Sequence, residues 1–256
     1  NLNNISNVKK DDLLCHIVPP KEGKDGIDVY GNKILYKSGN NITFNNGKNT
    51  YISEDGLQLR ASVDGCVKIA SQKVFVEDLY KVNNVDNETG NIVYNGSVII
   101  EGDVKAGFSV KAKGDIKIRG MVEGAYIESG RDVVISKGMN GMGKGTIVAK
   151  GTITSKYIEN AIIKSEKSIY AETLINSDVT SKESIILRGQ SAAIIGGTST
   201  ANDLIYAKTI GNKSNSETNL IIDISKYQEE QKLLAKKRNQ KLKREIDLNN
   251  KYKELK

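Results

Sequence analysis

The chain has 256 residues, with 38 Lys/Arg against 31 Asp/Glu, a formal net charge of +7, two cysteines, one histidine and no tryptophan. That length allows one long or two modest domains. No run approaches the ~18–20 consecutive apolar residues of a membrane-spanning helix, and two cysteines cannot build a disulfide framework. The charge also argues against a nucleic-acid groove. Residues 226–256 alone hold 11 Lys/Arg against 5 Asp/Glu, so the excess belongs to the tail, whereas such a groove lines the folded body with basic and aromatic side chains.

From residue 1 to 95 the chain is punctuated by turn signals: Pro19-Pro20, Asp25-Gly26, Asn46-Gly47, Asp55-Gly56 and Asp64-Gly65. Short β-branched runs between them, such as Val74-Phe75-Val76, predict a small all-β domain of hairpins. The run from Ala61 to Val67 faintly resembles the barrel-sandwich fold of lipoyl and biotinyl carriers. The hairpin lysine that carries their cofactor has no counterpart, so carrier function is set aside. Cys15 and Cys66 read as half-buried free thiols, which fits a reducing, cytoplasmic setting. No secretory leader stands at the N-terminus, and His16 reads as an ordinary structural residue.

Residues 96–223 carry an aliphatic beat. Val98, Val104, Val110, Ile116 and Val122 fall every sixth residue. The beat then tightens through Ile127, Val133, Ile147, Ile153, Ile158, Ile163, Ile169, Ile175, Val179 and Ile185, with Ile195 one further repeat beyond Val179. Three beats make a repeat of ~16–18 residues, too short for helical repeats of roughly 30–45 residues and sufficient for three short strands. The predicted fold is mainly β: a right-handed, three-sided parallel β-helix. Within a strand such as the one around Ile116, Ile116 and Ile118 face inward while Lys117 and Arg119 face water. Gly96, Gly102, Gly114 and Gly151 mark corners, where a positive φ is expected. Lys167 and Glu183 replace glycine at later corners.

The strongest enzymatic motif spans 138–145. Gly138, Gly143 and Lys144 match the first seven positions of the phosphate-cradling G-x-x-x-x-G-K-[ST] pattern, but Gly145 stands where a Ser or Thr should hold magnesium. Thr146 and the residues after it read as a strand, whereas the phosphate loop requires a helix. The segment lies where the repeat is stretched, between Ile127 and Ile147. It therefore reads as a loop protruding from one coil, with Gly138, Asn140, Gly141, Gly143, Lys144 and Gly145 as a candidate docking loop. Glu159 and Asn160, about one coil further on, complete a candidate docking surface. No catalytic residue, cofactor or metal site is assigned. Hexapeptide acyltransferases generally use a solenoid histidine as base and the related carbonic anhydrases use three to hold zinc, yet the single histidine here lies outside the repeat. The carboxylates Glu101, Asp103, Asp115, Glu123, Glu128, Asp132 and Glu159 alternate with Lys or Arg and read as a solvated face rather than a glycosidase pair.

From 224 to 256 glycine and proline vanish and a Lys/Glu/Gln/Leu-rich helix is expected. Leu234, Leu242 and Ile246, with Leu248 and Leu255 one heptad apart, form a ragged apolar stripe. A charged helix of this length is marginal alone, so a homodimer through the C-terminal helix is expected. The pattern is cut at Lys256, which implies a longer natural helix.

Several segments together resemble the flagellar assembly protein A family. They are the run from Lys24 to Gly31, the run from Ser53 to Leu57, Asp64-Gly65, the run from Thr89 to Ser97 and the run from Gly107 to Ala112. The set continues with the run from Val122 to Ala125, 138–145, the run from Lys156 to Ala161, Ile195-Gly196-Gly197 and the run from Ala207 to Gly211. The resemblance covers about residues 20–224. It implies an N-terminal β domain, a β-solenoid and a coiled-coil tail in a cytoplasmic bacterial protein of flagellar assembly, and it brings no catalytic residues. A non-enzymatic scaffold with unidentified protein partners is the expected function. A self-polymerising β-helix of the bactofilin kind and a nucleotide-binding protein using 138–145 are the alternatives.

Overall fold

The computed structural model describes residues 5–214 and 216–254. It is a parallel β-solenoid of about eight turns, with small antiparallel sheets before it and one helix after it. Strands of successive coils pair in parallel along the rod. On the first face the register runs Tyr80, Val98, Ile116, Val133, Ile153, Ile169, Ile185, Ile205. The coils are of unequal length, the two longest running from Val133 to Ile153 and from Ile185 to Ile205. The ladder begins at the strand Leu79–Val82, upstream of residue 96.

The second face starts as single bridges from Val85 to Val104 to Val122, then becomes a ladder through Met139, Ile158, Leu174, Ile194 and Ile210. The third runs Ile92, Val110, Ile127, Ile147, Ile163, Val179, Ser199 and Leu220. From Gly138–Ala149 onward the second and third faces share one long strand per coil, as in Tyr157–Ser165, Thr173–Ser181 and Ala193–Ala201. The aliphatic rows fill a continuous buried core, which is what the alternation of strand side chains requires.

Two positions correct the sequence-based beat. Leu174, not Ile175, is the buried member of its row, and Ile175 points outward. Ile195 is the register partner of Ile175, and the partner of Val179 is Ser199, so that coil is longer than the beat implies. The extra residues lie at 188–192, between the first and second faces.

The corners also differ from expectation. Gly96, Gly102, Gly114 and Gly151 do not have positive φ. They are glycine because coils touch there: a Cβ on Gly114 would meet the Gly96 carbonyl carbon at 2.9 Å, and one on Gly96 would meet the Asp78 oxygen at 2.1 Å. The left-handed residues sit at another corner, between the second and third faces: Gly107, Gly124, Asn160, Asn176, Gly196 and Gly197. Asparagine tolerates that region and replaces glycine in two coils.

Side chains finish the corners that glycine leaves. Asp103 Oδ1 accepts the Met121 amide at 2.9 Å, and Asp132 Oδ1 accepts the Thr152 amide at 2.7 Å. Where Lys167 and Glu183 stand, buried serines do this work: Ser165 Oγ donates to the Gly151 carbonyl and accepts the Lys167 amide, and Ser181 repeats the pattern with the Lys167 carbonyl and the Glu183 amide. These bonds meet the requirement that buried backbone groups be paired.

The N-terminal residues form three small sheets. Asn7–Val8, Gly65–Ala70 and Lys73–Glu77 make the one nearest the rod. Asn7 Nδ2 donates to the Val93 carbonyl, Asn7 Oδ1 accepts the Asn95 amide, and the Tyr94 hydroxyl donates to the Glu77 carbonyl. Cys66 joins the solenoid core, and burial pushes its thiol pKa up. The first coil is therefore sealed. The helix α1, Ser225–Glu254, leaves the other end, with Asp223 accepting the Ser225 amide. Leu233, Leu234 and Leu242 are exposed on it. Leu255 and the side chains of Ile246 and Leu248 lie outside the described residues. No described helix is long and apolar enough to cross a membrane.

Candidate functional site

The segment 138–145 is part of a strand, and only its middle leaves the rod. Met139 is fully buried between Val122 and Ile158 in the core row. Gly138 is also buried, with φ +140°, and a Cβ there would meet the Tyr157 ring at 2.5 Å. Asn140 continues the strand, in register with Glu123 below and Glu159 above. The register then shifts, so that Gly145 pairs with Ala161. Residues 141–144 thus stand opposite Asn160 alone, an enlarged bulge. Met142, Gly143 and Lys144 form an exposed finger, while Gly141 and Gly145 are buried at its neck. A Cβ on Gly145 would sit 2.6 Å from the Gly141 Cα and 2.4 Å from the Met139 Cε. Only a glycine pair lets the neck close.

Local hydrogen bonds fix the finger. Asn140 Oδ1 accepts the Met142 amide at 3.0 Å, and the Asn140 carbonyl accepts the Gly124 amide at 2.9 Å. Met142 and Gly143 take φ of +53° and +75°. The ladder resumes where the Thr146 amide donates to the Ala125 carbonyl. The side chains of Met142 and Lys144 lean over Gly124 of the preceding coil.

Glu159 and Asn160 occupy the same corner one coil on. Asn160 is left-handed, with φ +49°, and its Nδ2 donates to Glu159 Oε1 at 3.3 Å. The structure therefore brings Lys144, Glu159 and Asn160 to one edge of the rod. Lys105 stands on the coil before Gly124, paired with Glu123 at 3.3 Å and Asp103 at 3.4 Å. Glu123, and then Asp103, push the Lys105 pKa up. Burial, and then the charges of Glu159 and Glu123, push the Tyr157 hydroxyl up. The edge thus presents the exposed Lys144 ammonium, a thioether, a carboxylate and an amide, the mixed chemistry of a protein contact.

Nothing at this edge converges as a catalytic set. Thr146 to Ala149 are strand, so no helix N-terminus faces the loop as phosphate binding requires. The carboxylates along the rod pair between coils: Glu101 with Arg119 at 2.7 Å, Glu128 with Lys111 at 3.2 Å, and Asp115 with Arg131 at 3.6 Å. Among the described residues no three His, Cys, Asp or Glu side chains are grouped to hold a metal. His16 lies exposed in Leu13–His16.

Sequence reasoning missed one feature. A groove of about 450 Å³ runs along the first face over Val134, Thr154, Tyr170 and Ile186. These four are register partners on the outer side, where earlier coils present Lys81, Ile99 and Lys117. The loss of lysine from this outward row after Lys117, with Tyr170 and Ile186 in the later coils, is the signal that could have found it.

A family model described as the Flagellar Assembly Protein A beta solenoid domain matches residues 78–256, and one described as the Flagellar Assembly Protein A N-terminal region matches residues 1–72. No curated protein and no solved structure matches the chain.

Proposed function

Since the chain belongs to the flagellar assembly protein A family, we propose that it acts as a non-enzymatic cytoplasmic scaffold in the assembly of flagellar or related envelope machinery. The rod holds its surface features at fixed spacing, and protein partners dock at the edge built by Met142, Lys144, Glu159 and Asn160. The observation that carries this is the finger itself. It interrupts a regular ladder, its tip of Met142, Gly143 and Lys144 stands outside the core, and it exposes Met142 at 60%, on a rigid frame of the kind that carries binding loops. Two copies joined at the C-terminal end, where α1 departs, make the scaffold divalent.

Deletion of the gene, flagellar counts by electron microscopy and complementation test this reading. Restored filaments with the parent chain and failure with Lys144→Ala/Glu159→Ala at equal abundance would support the docking edge. Full restoration by the double variant would remove the edge from the account. Unchanged flagellation in the deletion strain would remove the flagellar role.

A further inference from the structure

The two ends of the rod are unlike. At the N-terminal end the first members of the second- and third-face rows, Val85, Ile92 and Tyr94, are 0–2% exposed beneath the sheet of Asn7–Val8, Gly65–Ala70 and Lys73–Glu77, while Tyr80, which opens the first face, is half-buried. At the C-terminal end the same rows finish in Ile210, Leu220 and Ile222, which are 57%, 39% and 47% exposed. Their partners one coil earlier, Ile194, Ser199 and Ala201, are 0–2% exposed. The core is cut open there. Among the described residues Leu204–Tyr206 pairs only with Ser184–Leu187, and Thr209–Ile210 and Thr218–Ile222 pair only with Ala193–Ala201. Each last strand keeps one edge without a ladder partner, the feature that invites another chain.

We infer that this open coil is a docking surface for the same coil of a second copy, giving a tail-to-tail dimer. The inference rests on the divalent scaffold proposed above and assigns its contact. Three observations select this occupant. With Ile224, also about half exposed, the end presents four apolar side chains. Half exposed, these four leave an apolar patch on the order of 400 Å². That is the size of a monomer's largest, often functional, apolar patch, and the unpaired strand edges extend it toward the ~800 Å² each partner gives a standard interface. The chain's own helix is a poor cover, because Leu233, Leu234 and Leu242 stand among lysines and arginines and are themselves exposed. Finally, the N-terminal end is sealed, so an open end finds no bare coil there. Its complement is another open end. Such a contact is isologous and closes at two copies, whereas head-to-tail stacking would run on as a filament.

The test is sedimentation equilibrium and small-angle X-ray scattering on the 256-residue chain, on a chain ending at residue 224, and on Ile210→Lys/Ile222→Lys. Both lysines enter half-exposed positions, and circular dichroism checks that the solenoid is retained. The expected result is a dimer about twice the monomer's length, retained without residues 225–256 and weakened at least tenfold by the lysine pair. A dimer lost on removing 225–256 but unaffected by the lysines would overturn the end contact and leave a helix-joined scaffold. A monomer in every case would overturn the divalent scaffold as well. Filaments would overturn closure at two.

Discussion

Gly120→Ala tests whether corner glycines exist to let coils touch. A Cβ at this position would lie 2.2 Å from the Gly102 carbonyl oxygen and 2.4 Å from its carbon. Both atoms are backbone of the coil below, so no side chain can swing aside. Relief requires the coils to part by about 1 Å, against a normal strand spacing of ~4.8 Å. That opening breaks the Gly120 amide's 2.9 Å bond to the Gly102 carbonyl and strains the Met121 amide's bond to Asp103. One lost hydrogen bond at ~1 kcal/mol and overpacking at ~1–3 kcal/mol give a cost of about 2–4 kcal/mol. Gly124→Asn is the control. Gly124 has φ +42°, Asn160 and Asn176 hold the equivalent corner in later coils, and an added Cβ would make contacts of 3.4–3.5 Å. It should cost less than ~1 kcal/mol. Urea unfolding followed by circular dichroism reads both. If Gly120→Ala stays within ~0.5 kcal/mol of the parent chain, the ordinary range for a harmless surface change, close approach is not the reason for glycine there.

Ile153→Ala, in the middle of the first face and fully buried, should lose ~3–4 kcal/mol, whereas Ile210→Ala at the open end of the monomer should lose under ~1 kcal/mol; urea midpoints in an Ile222→Lys background give the comparison. Ser165→Ala removes the donor to the Gly151 carbonyl and the acceptor of the Lys167 amide, and should cost ~1–3 kcal/mol, read the same way. Acid should weaken the corners held by aspartate. The Met121 amide, with help from Lys105, holds the Asp103 carboxyl below its usual range. A depressed folded pKa gives stability that is complete above the unfolded value of ~3.9 and lost as pH falls through the folded value. Asp103→Asn should flatten that part of the profile below about pH 4, and an unchanged acid slope in thermal melts would contradict it.

The solenoid was legible because its period is short and its core admits only aliphatic stacks: Val98, Ile116 and Ile153 announce themselves. Where two apolar residues adjoin, as in Leu174-Ile175, a one-residue slip exchanges inside and outside, and the beat alone chose the wrong one. Ser199 hid the last steps of its row by being polar inside the core. The first coil was hidden by its surroundings, since Leu79–Val82 sits among hairpin residues and reads as one more hairpin strand. The finger was legible as a lengthened repeat, but its extent was not: Met139 carries core packing, and the Gly141 to Gly145 neck emerges only when the register shift is known. Corner glycines were read correctly as corners and wrongly as left-handed, because sequence does not distinguish a glycine that needs an unusual torsion from one that needs absent volume.

The two lengthened coils have a further consequence. In each, the added residues are extruded at a corner, 142–144 at one and 188–192 at another, and the ladders above and below keep their register. Length can therefore be added to a coil without altering the pitch of the rod. The finger and the second insertion stand three coils apart, about 14 Å at ~4.8 Å per coil, and project from different corners. Such a rod is a molecular ruler. A feature's height is set by the number of the coil it interrupts and its bearing by the corner it leaves, so natural variation can move one protrusion without disturbing another.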